Sequence, residues 1–196
     1  MEIFFASSNE HKKKEMQALF PSVNIILPKE IGIDFDPVED GSSFIENALI
    51  KAQALFDIVK LPVLSDDSGL CVKALGWKPG IHTARYGEKE MGRKLTDREK
   101  YEYLLSNMKE INDREAYFVS ALVLICSPWE KYVVQESCKG EIARKAEGAN
   151  GFGYDPVFFN SEAGMISALL SEEDKNRFSH RGKAARKMNL IIEEVL

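Results

Sequence analysis

The feature that most constrains this chain is the stretch Leu64-Ser65-Asp66-Asp67-Ser68-Gly69-Leu70. Leu61, Val63 and Leu64 read as a buried strand, and that strand ends in two adjacent carboxylates, a serine and a glycine. Aspartate is depleted in strands, so a pair at a strand's end suggests a site rather than scaffold. Adjacent carboxylates repel, and the usual remedies are a divalent cation or a shared proton. Asp, Ser and Gly are also turn formers, so an ordinary turn explains the same residues. The choice rests on whether the chain supplies the partners an acidic site needs.

The 196 residues suit one globular domain with room for two lobes. Hydrophobic residues make up 44%, enough for a sizeable core. The net charge of −5 argues against a general nucleic-acid binder but leaves room for one small anionic ligand held by local cations. Three cysteines (Cys71, Cys126, Cys138) are too few and too scattered for a disulfide framework or a zinc motif, and they fit a reducing compartment. The opening MEIFFASSN falls short of a signal-peptide core of about 7–15 apolar residues. No run approaches the roughly 18 apolar residues of a membrane span. The expectation is a soluble cytoplasmic protein.

Along the chain, Ile3–Ala6 predicts a short strand, Ser7-Ser8-Asn9 a small polar turn and Glu10–Phe20 a helix. A strand–turn–helix start presents free N–H groups and a positive dipole end to an anion. Lys12 reads as a ligand cation there, and Lys13 and Lys14 as a solvated face; the plainer alternative is that Ser8 caps the helix. Val23–Leu27 is a second strand. Ser43-Phe44-Ile45-Glu46 has the form of a capping box, and the apolar steps to Val59 give an amphipathic helix. Glu46 is thus explained as a cap partner, whereas Glu39, in the turn before, is free to bind metal. Lys51 lies on the less apolar face, toward solvent or a ligand. Thr96–Glu99 opens a further helix to about Met108, and Ala116–Cys126 with Lys131–Ile142 forms a long hairpin.

Gly148-Ala149-Asn150-Gly151-Phe152-Gly153-Tyr154-Asp155-Pro156 is a second unusual stretch. Its glycines allow close backbone approach, and its aromatics either stack a base or plug the core. A short acidic helix to Phe178 carries Lys175, and Ser179-His180-Arg181-Gly182 opens the last helix with cations in its first turn. Carboxylates for a hard divalent cation, cations for phosphates and an aromatic loop for a base together describe a nucleoside polyphosphate with Mg²⁺. There is no P-loop and no G-x-G-x-x-G after a strand.

Six ordered motifs, from Ser7-Ser8-Asn9-Glu10-His11-Lys12 through Glu39–Ala48, Ser65–Leu70, Pro79–Tyr86 and Gly151–Pro156 to Ser179–Gly182, resemble those of the inosine/xanthosine triphosphate pyrophosphatase family. The resemblance implies an α/β, elongated two-lobed fold, with a central mixed sheet flanked by helices and a cleft between the lobes, and a homodimer. It implies Mg²⁺-dependent hydrolysis of ITP, dITP and XTP to the monophosphate and pyrophosphate. By the same resemblance, Ser7, Ser8, Asn9 and Lys12 form the phosphate-binding motif, and Glu39 and Asp67 hold the metal. Asp67 is the base for the attacking water, with Asp66 in support; Ser68 touches substrate, and Lys51 and Lys175 are phosphate-side lysines. Phe152, Gly153, Tyr154 and Asp155 form the base pocket, completed by His180 and Arg181. Arg181 can only donate, which suits O6 of a 6-keto purine and disfavours a 6-amino group. The family usually has Thr-Gly-Asn where this chain has Ser7-Ser8-Asn9. A related-fold hydrolase of pyrimidine or methylated triphosphates, or a nucleotide-binding module without turnover, is the alternative.

Overall fold

The computed structural model describes Met1–Leu196. Its strands are β1 (Glu2–Phe5), β2 (Asn24–Ile26), β3 (Val63–Val72), β4 (Glu115–Ser127), β5 (Glu130–Ile142), β6 (Phe158–Asn160) and β7 (Met165–Ile166). Its helices are α1 (Glu10–Leu19), α2 (Phe44–Val59), α3 (Glu88–Met91), α4 (Asp97–Asn107), α5 (Glu172–Phe178) and α6 (His180–Val195). The strands form one sheet in the order β2-β1-β3-β4-β5-β6-β7. β1 runs parallel to β2 and β3, whereas β5/β6 and β6/β7 are antiparallel, so the sheet is mixed as expected. The long hairpin is β4 and β5, turning at Pro128-Trp129; at its open end the Ile142 N–H donates to the Arg114 carbonyl.

The chain divides into two compact units: Met1–Asp67 with Ser120–Glu136 and Arg181–Leu196, and Ser68–Val119 with Ser137–His180. In the first, strand periodicity sorts the side chains between two cores. Ile3, Phe5, Leu64, Leu122 and Leu124 pack with Met16 and Phe20 from α1 and Ala184, Ala185, Met188 and Ile192 from α6. Phe4, Ala6, Val63, Ala121, Val123 and Ile125 pack on the other face with Ala48, Ala52, Leu55 and Phe56 from α2. In the second unit Leu70, Val72, Phe118, Tyr154, Val157 and Phe158 share a core with Leu104 and Met108 at the end of α4.

Three local expectations change. The acidic stretch is no turn: β3 runs unbroken through Asp66, Asp67, Ser68 and Gly69. The β4 neighbour and the flanking cores keep it extended where propensity alone predicts a break. α1 is capped by Asn9, whose Oδ1 accepts the Lys12 N–H at 3.1 Å, and Ser8 is not the cap. The box before α2 is half made. Ser43 Oγ accepts the Glu46 N–H, but Glu46 Oε2 accepts from the N–H and hydroxyl of Ser42 instead of from Ser43. At α4 the box is complete, with Thr96 and Glu99 bonded reciprocally.

Candidate active site

The unbroken strand answers the question of the paired aspartates. Neighbours on a strand point to opposite faces, so Asp66 and Asp67 make their direct ion pairs with different cations. Asp66 follows Leu64 toward α1 and α6, and Asp67 follows Val63 and Ser65 toward α2. Ser65 confirms that face: its hydroxyl donates to the Ala48 carbonyl in α2 at 2.7 Å.

Asp66 is 1% exposed and fully engaged. Its Oδ1 accepts from Ser120 Oγ at 2.7 Å. Its Oδ2 lies 2.9 Å from Lys12 Nζ and 3.1 Å from Arg181 Nη2. Arg181 reaches onward to Glu15 at 2.5 Å. Burial disfavours the Asp66 charge, but Arg181 and Lys12, with the hydrogen bonds from Lys12 and Ser120, outweigh it and hold the carboxyl well below the usual range. Burial also opposes the Arg181 charge, and Asp66 and Glu15 overcome it, so the guanidinium is held more firmly than usual. For Lys12 burial wins, helped by repulsion from Lys51 and Arg181, and its pKa falls.

Asp67 sits in a simpler environment. Lys51 Nζ lies 3.0 Å from Asp67 Oδ1 and 3.1 Å from Glu39 Oε2, so one ammonium bridges two carboxylates. Lys51 extends from α2 one turn beyond Asn47, whose Oδ1 accepts the Gly41 N–H at 2.9 Å and so fixes the segment after Glu39. Asp67 Oδ2 is buried and accepts no hydrogen bond. Burial, more than any neighbour, raises the Asp67 pKa; Lys51 and Lys12 oppose the shift without cancelling it. For Lys51 burial is also the largest influence, but Asp67 and Glu39 together outweigh it and its pKa rises.

A buried carboxylate oxygen without a donor, beside a second carboxylate, is the environment a hard cation satisfies. No group of three or more His, Cys, Asp or Glu side chains gathers in the chain. Two carboxylates can be enough for Mg²⁺, which is usually held by one or two carboxylates with substrate oxygens and water completing its shell. Glu39 and Asp67 fit such an ion; Asp66, on the opposite face, does not.

The phosphate-end residues lie at the start of α1. Ser7 Oγ accepts the Asn9 N–H at 3.1 Å. Ser8 is exposed and has no positive φ, so its backbone does not demand the glycine usual there. Lys12 meets Asp66, as above, and Lys13 pairs with Glu30 at 2.6 Å.

The remaining residues belong to the second unit. A small pocket is lined by Phe118, Cys138, Asp155, Lys175, Ser179 and His180, among others. The His180 ring stacks on Phe118, centroids 4.7 Å apart and 11° from parallel. Lys175 Nζ is 2.7 Å from Asp155 Oδ2 and 5.0 Å from the Phe152 ring centroid. Asp155 Oδ2 also accepts the Phe152 N–H at 2.9 Å. Gly151 (φ 78) is required here, because a Cβ would collide with that same carboxylate. Ser68 follows on β3, half-buried.

Two sequence expectations need revision. Tyr154 is 3% exposed, inside the apolar core, with its hydroxyl on the Thr83 carbonyl at 3.1 Å. It is a core plug, and only Phe152 of the two loop aromatics has an accessible face. Arg181 is 3% exposed and holds Asp66 and Glu15, so its donors are engaged by carboxylates rather than directed at a base. Glu15, Ser120 and Thr83 were not evident beforehand. A hydroxyl in the apolar run Val119–Ile125 and a glutamate three residues past Lys12 on one helix face were the available signals.

The sequence profile described as the Ham1 family matches residues 3–190. The chain is 48% identical over 193 residues to the dITP/XTP pyrophosphatase of Treponema denticola, covering 98% of this chain and 99% of that protein. It is 38% identical to the dITP/XTP pyrophosphatase of Staphylococcus aureus, covering 98% and 96%. Among solved structures, a HAM1 protein from Coxiella burnetii superposes with a TM-score of 0.88 at 35% identity, covering 100% of both chains. The Staphylococcus aureus Ham1 protein gives 0.86 at 36% identity, covering 99% of each.

Proposed function

The chain belongs to the Ham1 family, and on that premise we propose that it is a nucleoside triphosphate pyrophosphohydrolase that removes deaminated purine triphosphates (ITP, dITP and XTP). Water adds to the α-phosphorus, the α–β bridging bond breaks, and the products are the monophosphate and pyrophosphate. The observation that carries this reading is the Glu39–Lys51–Asp67 bridge beside the unpartnered Asp67 Oδ2.

Each residue has a task within it. Asp67 takes the proton of the attacking water, and burial, by raising its pKa, strengthens it as a base. Lys12 and Lys51 offset charge on the phosphates and on the departing pyrophosphate. Asp66 holds Lys12 through the Ser120–Arg181–Glu15 network, which makes it a positioning residue. Glu39 and Asp67 are the pair that would hold Mg²⁺, whose chemistry when bound is to neutralise phosphate charge and lower the pKa of water. Lys175, expected on the phosphate side, instead lines the pocket with Asp155, and it and His180 are the donors for the 6-keto edge in place of Arg181. A 6-amino group would face them donor to donor, a mismatch of about 1–3 kcal/mol when buried. A homodimer remains part of this proposal. No helix is long and apolar enough to cross a membrane.

The test is pyrophosphate release with Mg²⁺ over ITP, XTP, dITP, ATP, GTP and dTTP. The expected result is pyrophosphate from the first three at far higher kcat/KM than from the others. Release of orthophosphate, a preference for dTTP, or binding without turnover would overturn it.

A further inference from the structure

The loop Gly151–Asp155 sends two successive amides to two different carboxylates. The Phe152 N–H ends on Asp155, inside the loop, at 2.9 Å. The Gly153 N–H ends on Asp97 Oδ2 at 2.8 Å, across 56 positions of sequence. Asp97 is the first residue of α4, and helix capping does not explain where it points. The start of α4 is already closed by the reciprocal Thr96–Glu99 bonds. Gly153 has φ 63 and no side chain to anchor it, so the Phe152–Gly153 peptide is held through its own polar groups: the Phe152 carbonyl accepts the Asp155 N–H at 3.3 Å within the loop, and Asp97 takes the Gly153 N–H from α4. Its neighbours are held: Asp155 pairs with Lys175, and Tyr154 is buried with its hydroxyl on Thr83. The Asp97 bond is thus a tie from α4 on the segment that carries the Phe152 ring, whose centroid lies 5.0 Å from Lys175 Nζ.

We propose that Asp97 is a positioning residue for nucleotide recognition, an acceptor on α4 that restrains the loop segment carrying the Phe152 ring beside the Asp155–Lys175 pair. A charge-assisted N–H···O bond is the stronger kind, and its partner lies outside the loop, so it restrains the segment without adding bulk to the pocket. The inference rests on reading the second-unit pocket as the base end of the substrate site.

The experiment compares wild type, Asp97→Ala and Asp97→Asn. Hydrogen–deuterium exchange of the peptide covering residues 148–156 is measured on ligand-free protein, and KM and kcat are measured for ITP. Asp97→Ala is expected to speed exchange in that peptide and to raise KM about 3- to 10-fold, the scale of one hydrogen bond, with kcat unchanged. Asp97→Asn keeps an oxygen acceptor without the charge and is expected to restore most of both readouts. The proposal is overturned by wild-type exchange and KM in Asp97→Ala, by a loss confined to kcat, or by an Asp97→Asn as impaired as Asp97→Ala. That last result would assign the effect to charge at the helix start. Asp97 is exposed, so the substitutions are tolerated by the surface; a variant unfolded by circular dichroism would make the residue structural and also overturn the positioning role. Wild type without turnover of any purine triphosphate would instead defeat the hydrolase reading, while the exchange comparison would still decide the tether.

Discussion

The two clusters of polar and charged residues, one within each unit, are built in opposite ways. In the first unit, charged groups are buried on regular elements: β3 and β4 carry Asp66, Asp67 and Ser120, and α1, α2 and α6 carry Lys12, Glu15, Lys51 and Arg181. In the second, a glycine-containing loop is held from outside by Asp97, Thr83 and Lys175. Burying a charge among other charges costs much if one partner is lost, so the first half is rigid and intolerant of change. A loop held by separate hydrogen bonds loses them one at a time, so the second can be adjusted stepwise. That contrast suits a site in which the triphosphate chemistry is common to all substrates and the base must be discriminated.

The largest expected effect tests the chemical half. Asp67→Asn should lower kcat/KM for ITP by about 10²–10⁴-fold, the usual contribution of a positioned base, while nucleotide binding stays measurable by calorimetry. Retained turnover would remove Asp67 from that role.

Next is stability. Asp66→Asn leaves Lys12 and Arg181 buried around a neutral amide and should cost about 3–5 kcal/mol in urea unfolding. A loss below about 1 kcal/mol would put Asp66 among ordinary surface pairs and erase the contrast. The same group sets an acid limit. Its folded pKa is depressed, so the unfolded chain takes up the proton first, and the stabilisation present above the unfolded pKa of about 3.9 is lost as pH falls below it. Wild type should therefore lose more stability on acidification than Asp66→Asn, and parallel acid titrations of the two would contradict this.

A smaller effect is expected in the recognition half. Lys175→Met should raise KM for ITP about tenfold or more, the scale of a hydrogen bond to a charged group, and leave kcat nearly unchanged. A loss mainly in kcat would show that the two halves are not separable. Of similar size is Ser120→Ala, which removes one of the bonds to Asp66 and should cost about 1–3 kcal/mol in unfolding. No measurable change would show that Arg181 and Lys12 hold Asp66 without it.

Much of the fold was legible because local patterns carried it. The apolar steps from Phe44 to Val59 gave α2 at its observed bounds, and the alternation around Pro128-Trp129 gave the β4–β5 hairpin. The strand was expected to end at the acidic stretch because Asp and Gly propensities point that way, while its neighbours in the sheet override them. Asp97 left no signal, since its partner Gly153 is 56 residues distant and a glycine shows nothing of what its amide will meet.

The sequence by itself determined which chemical groups the chain possesses, most of its helices and strands, and the ordered motifs that place it in its family. Only the tertiary structure decided which cation answers which carboxylate. Asp66 and Asp67 are neighbours in the chain but lie on opposite faces of a strand, so one is bound by Arg181 from 115 residues away and the other by Lys51 from α2. Charge pairing depends on separation in space and on the surrounding dielectric, and both are set only when the sheet brings distant segments together and buries them.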